Sequence, residues 1–231
     1  SDLERLAKIW ERVVEFKIQL VTSGLLDDHQ FGRYIVPAIE RNLILHCPGY
    51  STPASPFIRF DLIRASDGFK IIDINCTRPA GVGDAIILDA MYQGNDTPNS
   101  SQLSRGFCRV IQQAFQSWLE NNNQVSPARI GMLVESRAGG WYNMYNLALC
   151  LQREPWVEKV DIIDNIPSPD DKTYNCLIRD RIKVGHPLFE KLLCLPINEV
   201  CILSPLGRRY LGNKYWFVLF RDEIIGDLFR Q

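Results

Sequence analysis

Four side chains on two neighbouring stretches carry groups that together suit a hard metal ion and a phosphate. Arg59 and Asp61 lie in Phe57-Ile-Arg-Phe-Asp-Leu-Ile-Arg64, and Asp73 and Asn75 lie in Phe69-Lys-Ile-Ile-Asp-Ile-Asn75. Both stretches are rich in β-favouring residues and flank Ala65-Ser-Asp-Gly68, a turn sequence, so they read as a β-hairpin. Side chains alternate along a strand, which puts Arg59 with Asp61 on one face and Asp73 with Asn75 on one face. A register that turns both pairs the same way gathers two carboxylates, an amide oxygen and a guanidinium. Oxygen donors of this kind suit Mg²⁺, which takes one or two carboxylates plus phosphate oxygens. The arginine can hold a phosphate with two parallel N–H bonds. A solvated hairpin face with ordinary surface charges competes with this reading. The next stretch, Cys76-Thr-Arg-Pro-Ala-Gly-Val-Gly83, favours a ligand. Gly81 and Gly83 allow close backbone approach and offer N–H groups to anions, alongside Thr77 and Arg78.

Two further places could touch a substrate. Arg137, Gly139 and Gly140 lie in Ser136-Arg-Ala-Gly-Gly140 ahead of a helix, where a carboxylate could sit on free N–H groups. A plain strand-to-helix connection is the alternative. Arg179 and Arg181 follow a strand at the expected carboxyl edge of a sheet, where substrate contact and a structural ion pair compete. His29, His46 and His186 stand in unrelated contexts, so they build neither a zinc site nor a Ser-His-Asp triad. His29 and His186 are expected at the surface.

The elements that must position these residues follow from periodicity. Leu3, Leu6, Ile9, Trp10, Val13 and Val14 recur at helical spacing behind Ser1-Asp2, and a second helix is predicted over 28–45. A Pro/Ser linker over 51–56 leads into the hairpin. Helices are predicted over 84–92 and 103–119. A mostly apolar strand over 129–135, a helix over 141–152 and strands over 157–163 and 173–179 then give a βαβ order with a buried parallel sheet. A strand over 200–204 and a final helix from 213 to 229 close the chain. The fold class is α/β. Three segments are expected: 1–56 helical, 57–127 carrying the hairpin and the helices after it, and 128–231 forming a Rossmann-like layer.

Composition narrows the function. With 231 residues, 46% apolar and 23% charged, the chain can bury a sizeable core. Its 26 basic and 27 acidic residues give a net charge of −1, which argues against bulk attraction to nucleic acid or to a membrane surface. No apolar run approaches the ~20 residues of a membrane span, and no secretory leader is read at Ser1-Asp-Leu-Glu-Arg5. Seven scattered cysteines without a Cys-x-x-Cys pair suggest reduced thiols in a cytoplasmic setting. The role of Cys76 stays open.

Ile72-Asp-Ile-Asn-Cys-Thr-Arg-Pro-Ala-Gly81 resembles the metal-binding strand of ATP-grasp ligases, an acid-x-Asn followed by a Pro/Gly loop. Its place ahead of the α/β layer, with Arg-x-Asp on the partner strand, is similar to the circularly permuted branch, which includes glutathionylspermidine synthetase and eukaryotic glutathione synthetase. Ser204-Pro-Leu-Gly-Arg-Arg-Tyr-Leu-Gly-Asn-Lys214 resembles the stretch that in this family opens the path to the nucleotide lid. Asn-Lys ahead of a helix is equally a plain cap. The resemblance covers roughly positions 57 to 220 and implies a pre-ATP-grasp portion of an amide-forming ligase. In that family ATP phosphorylates a small-molecule or peptide carboxylate and an amine attacks the acyl phosphate. It implies that Arg59 clamps the nucleotide phosphates and that Asp61, Asp73 and Asn75 hold Mg²⁺. Asp73 stands where relatives favour glutamate, one methylene longer. No Gly-rich, lysine-bearing lid is read in the chain. The expectation is therefore part of a ligase, unable by itself to turn over ATP. A lid-less binding module and a non-catalytic interaction domain are the rivals.

Overall fold

The computed structural model describes residues 2–23, 59–66, 68–75, 81–94, 101–135, 140–166, 172–183, 185–196, 198–203, 213–214 and 216–221. The helix expected over 28–45, the linker over 51–56, the loop residues Thr77, Arg78, Arg137 and Gly139, His29 and His46, and the last helix beyond 221 lie outside them. The chain forms two compact units. One comprises Ser1–Ala54, Arg59–Cys76 and Gly207–Gln231; the other comprises Ser55–Ile58 and Thr77–Leu206.

In the first unit, helix α1 (Asp2–Thr22) buries Trp10, Val13, Val14 and Leu20, a stripe at helical spacing. Lys17 falls on the same stripe and is only 3% exposed. Its ammonium lies 5.3, 5.2 and 5.9 Å from the ring centroids of Trp10, Trp216 and Phe220. The rings replace part of the water that a buried ammonium loses. The Trp10 and Phe60 rings meet in a T-shape with centroids 6.1 Å apart, which seats strand β1 (Arg59–Ala65) on α1. Strand β2 (Gly68–Asn75) pairs antiparallel with β1, and Gly68 takes φ 116° after the turn, which a side chain would resist. Lys17→Ala is expected to cost about 1–3 kcal/mol through lost stem packing and lost ring contacts, and Lys17→Met clearly less. Urea unfolding checks this; equal stability of wild type and Lys17→Ala would show that the rings gain nothing from the ammonium.

The second unit is mixed α/β around a four-stranded parallel sheet of order β4-β3-β5-β6. Strands β3 (Ala128–Leu133), β4 (Val157–Ile163), β5 (Cys176–Arg179) and β6 (Cys201–Leu203) fall on the predicted runs, β4 with the predicted bounds and the others shifted or shortened at their ends. Strand β5 begins at Cys176 because the Asn175 side chain takes the Arg129 N–H at 2.8 Å and donates to Ser126 and Pro127. The central strands are buried along their length, as their near-continuous apolar sequence requires. Helices α2 (Val82–Tyr92), α3 (Gln102–Asn121) and α4 (Trp141–Leu151) supply the rest of the core, including Ile86, Ile111, Phe115, Met144 and Leu147. The Ser101 hydroxyl caps α3 by accepting the Ser104 N–H at 2.9 Å.

Periodicity did not predict helix α5 (Pro187–Leu193). His186, expected at the surface, is half-buried, and its Nδ1 accepts the Leu188 N–H at 3.2 Å. Histidine is an unusual cap, and the signal lay in Pro187 at the first helical position with Leu188, Phe189 and Leu192 behind it. A four-residue helix, α6 (Trp216–Leu219), is all that is described of the expected terminal helix. Among the described residues no helix is long and apolar enough to cross a membrane. The described cysteines 108, 150, 176, 194 and 201 are free thiols.

Candidate metal and phosphate site

The hairpin register decides whether the four candidate residues can act together. Arg59 pairs with Asn75, Phe60 with Ile74 and Asp61 with Asp73. Cross-strand partners share a face, so Arg59, Asp61, Asp73 and Asn75 all project from one side, while Phe60 turns to Trp10 on the other. The register slips just past this cluster, between Asp61 and Leu62, as at a β-bulge. The four residues thus occupy the regular end of the ladder.

Two cations hold the two carboxylates in place. The Arg59 guanidinium straddles Asp61, with Nε 2.8 Å from Oδ1 and Nη2 3.2 Å from Oδ2. The Lys214 ammonium donates to Asp73 Oδ1. Asp73 also accepts the Ile74 N–H at 2.7 Å and the Asn75 Nδ2 at 3.2 Å. Burial opposes ionisation of Asp73, but Lys214, the Ile74 N–H and Asn75 outweigh it and hold its carboxyl below the ordinary carboxylate value. The hydrogen bond to Asp61 raises the pKa of Arg59, against a smaller opposing effect of burial. The side chains of Arg59 and Asp61 are 49% and 36% exposed, so a ligand in solution can reach them.

The donors fit a hard cation. Asp61 and Asp73 face each other across the ladder, and a half-turn of the Asn75 amide would present its oxygen in place of Nδ2. Among the described residues no three His, Cys, Asp or Glu side chains are grouped to hold a metal ion. A cation here would therefore rely on two carboxylates, the amide and its own water or phosphate oxygens. In the sequence Lys214 belongs to Asn213-Lys214, which reads equally as a helix cap. Its place on Asp73 depends on contact across 141 positions, which no local pattern contains.

The remaining candidates belong to the second unit. Gly81 takes φ 77° at the start of α2 and is exposed. Gly83 is buried, and its N–H donates to Asn143 Oδ1 at 2.8 Å. A Cβ on it would overlap the Asn143 carbonyl oxygen, so this glycine serves the close approach of α2 and α4. Its donor is engaged inside the protein rather than offered to a phosphate. Gly140 caps α4 at φ 71°, and a Cβ there would overlap Asp180 Oδ2. The Asp180 carboxylate thus packs against Gly140 at the start of α4. Arg179 ends β5 at the carboxyl edge, but it is 2% exposed and donates to the Asp180 carbonyl oxygen at 3.3 Å. Arg181 is exposed. Asn143 and Asp180 gave no advance signal, because each is recognised only by the glycine it meets. No protein-family model matches the chain, and no curated protein matches it.

Proposed function

We propose that the hairpin face binds a Mg²⁺–nucleotide and forms the metal and phosphate side of an ATP-dependent carboxylate–amine ligase of the permuted ATP-grasp type. The observation that carries the reading is the shared face of Arg59, Asp61, Asp73 and Asn75, with Lys214 joined to Asp73. Two segments that separately resemble the same family thereby meet in one cluster. On this reading Asp61, Asp73 and Asn75 hold Mg²⁺, which supplies neutralisation of the phosphate charge, and Arg59 orients the phosphates. The γ-phosphoryl group passes to a carboxylate, ADP leaves, and an amine displaces phosphate from the acyl phosphate to give an amide. We read the sheet unit as Rossmann-like, with Arg181 after β5 as an exposed basic group. The setting is the cytosol-like one read from the scattered cysteines. The rival, a non-catalytic module, is favoured by the bidentate Arg59–Asp61 pair, which is also what a purely structural hairpin would contain.

Calorimetry with Mg²⁺ and a non-hydrolysable ATP analogue separates the two. Wild type should bind the analogue only when Mg²⁺ is present. Asp73→Asn should weaken binding at least tenfold, or about 1.4 kcal/mol, while far-UV circular dichroism stays unchanged. Arg59→Lys should also weaken it, since an ammonium cannot reproduce the guanidinium fork. Mg²⁺-independent binding, or an undiminished Asp73→Asn protein, would sink the ligase reading.

A further inference from the structure

Among the described residues the hairpin cluster contains two anions and two cations, and each is already paired with one of the opposite sign. Arg59 holds Asp61 through two hydrogen bonds, and Lys214 holds Asp73. The four charges sum to zero. A metal ion arriving alone must loosen at least one of these pairs, leaving a displaced cation beside a dication. A polyphosphate arriving alone must draw off Arg59 or Lys214 and leave Asp61 and Asp73 facing each other uncompensated across the ladder. When both arrive, every charge finds a new partner: the carboxylates turn to the metal, and the guanidinium and ammonium turn to the phosphates. Lys214 is well placed for such an exchange, because its side chain is 55% exposed while Asp73 is 26% exposed. A long, flexible ammonium moves to a new acceptor at small cost.

We infer that this site works by exchange of internal ion pairs, so that cation and polyphosphate promote each other's binding, with Lys214 holding the place of the metal on Asp73 until the phosphates draw it away. The inference rests on the Mg²⁺–nucleotide reading and adds to it how the site is controlled. The coupling is reciprocal: whatever factor the nucleotide adds to metal affinity, the metal adds to nucleotide affinity. Either ligand alone therefore binds more weakly than it does in the presence of the other.

The test is a substitution whose two effects have opposite signs. In Lys214→Met the Asp73 carboxylate loses its place-holder, so Mn²⁺ alone, counted by electron paramagnetic resonance of the free ion, should bind several-fold tighter than to wild type. The same substitution removes a phosphate partner, so Mn²⁺ with β,γ-imido-ATP should bind several-fold more weakly. Association of Mn²⁺ with the nucleotide in solution is common to both proteins and cancels in the comparison. Arg59→Gln, which frees Asp61, should show the same crossed pattern and provides a second variant. Circular dichroism of both confirms the fold. If either variant weakens both ligands, or changes neither, the exchange is wrong while the nucleotide reading stands. If wild type binds no Mn²⁺–nucleotide at all, both fall together.

Discussion

Gly83→Ala is expected to lower the unfolding free energy by about 2–4 kcal/mol, from overpacking and a strained buried hydrogen bond. A methyl group at this position would overlap the Asn143 carbonyl oxygen, and backbone cannot rotate out of the way. To admit it, α2 must move off α4, which stretches the bond from the Gly83 N–H to Asn143 Oδ1, now 2.8 Å and buried. Helix propensity acts in the other direction, since alanine is the better helix former by about 0.8–1 kcal/mol. The overlap is the larger effect, so the sign is destabilising. Gly106→Ala in α3 is the matching control: nothing lies within 4 Å of its would-be Cβ, and that variant should gain a few tenths to ~1 kcal/mol. Chemical unfolding of both variants checks the pair. Two shifts of the same sign would show that the contact between α2 and α4 is not as tight as described.

The second large effect is expected at Gly140. Alanine there keeps φ near 71°, a left-handed conformation costing about 1–2 kcal/mol, and drives its methyl into the Asp180 carboxylate, which is 6% exposed. Together these should cost about 2–4 kcal/mol, because displacing a buried carboxylate strands it from its partners. Gly94→Ala isolates the backbone share: its φ is 68°, yet nothing lies within 4 Å of the added methyl. The difference between the two variants, read from thermal or urea unfolding, is the contribution of the Asp180 contact. Equal losses would mean that Asp180 yields freely and leave the start of α4 open to an external carboxylate.

The two glycines show why sequence reading reaches a motif sooner than its use. Gly81 and Gly83 are candidates because glycine admits a ligand close to the backbone, and Gly140 because it precedes the free N–H groups of a helix. The same absence of a Cβ admits another part of the protein, and at Gly83 and Gly140 that is what the structure contains. Nothing near position 83 announces Asn143, and nothing near 140 announces Asp180.

Alternation and turn chemistry, both local, determined much of the rest. The β-branched runs around Ser66–Gly68 specify a hairpin, and the apolar stretches at 128–133 and 176–179 specify strands buried on both faces. These follow from the sequence because backbone preference and burial pattern act over a few residues. Alternation also put Arg59 with Asp61, and Asp73 with Asn75, on common faces. Whether the two faces coincide depends on register, and register depends on where the ladder slips; here that is beyond Asp61. The partners of the charges were decided at longer range still. Lys214 reaches Asp73 because the segment from Gly207 belongs to the same compact unit as the hairpin, with the sheet unit inserted between them in the chain. Opposite charges find each other only after that closure. An ammonium separated from its carboxylate by 141 positions is therefore a property of the tertiary structure alone.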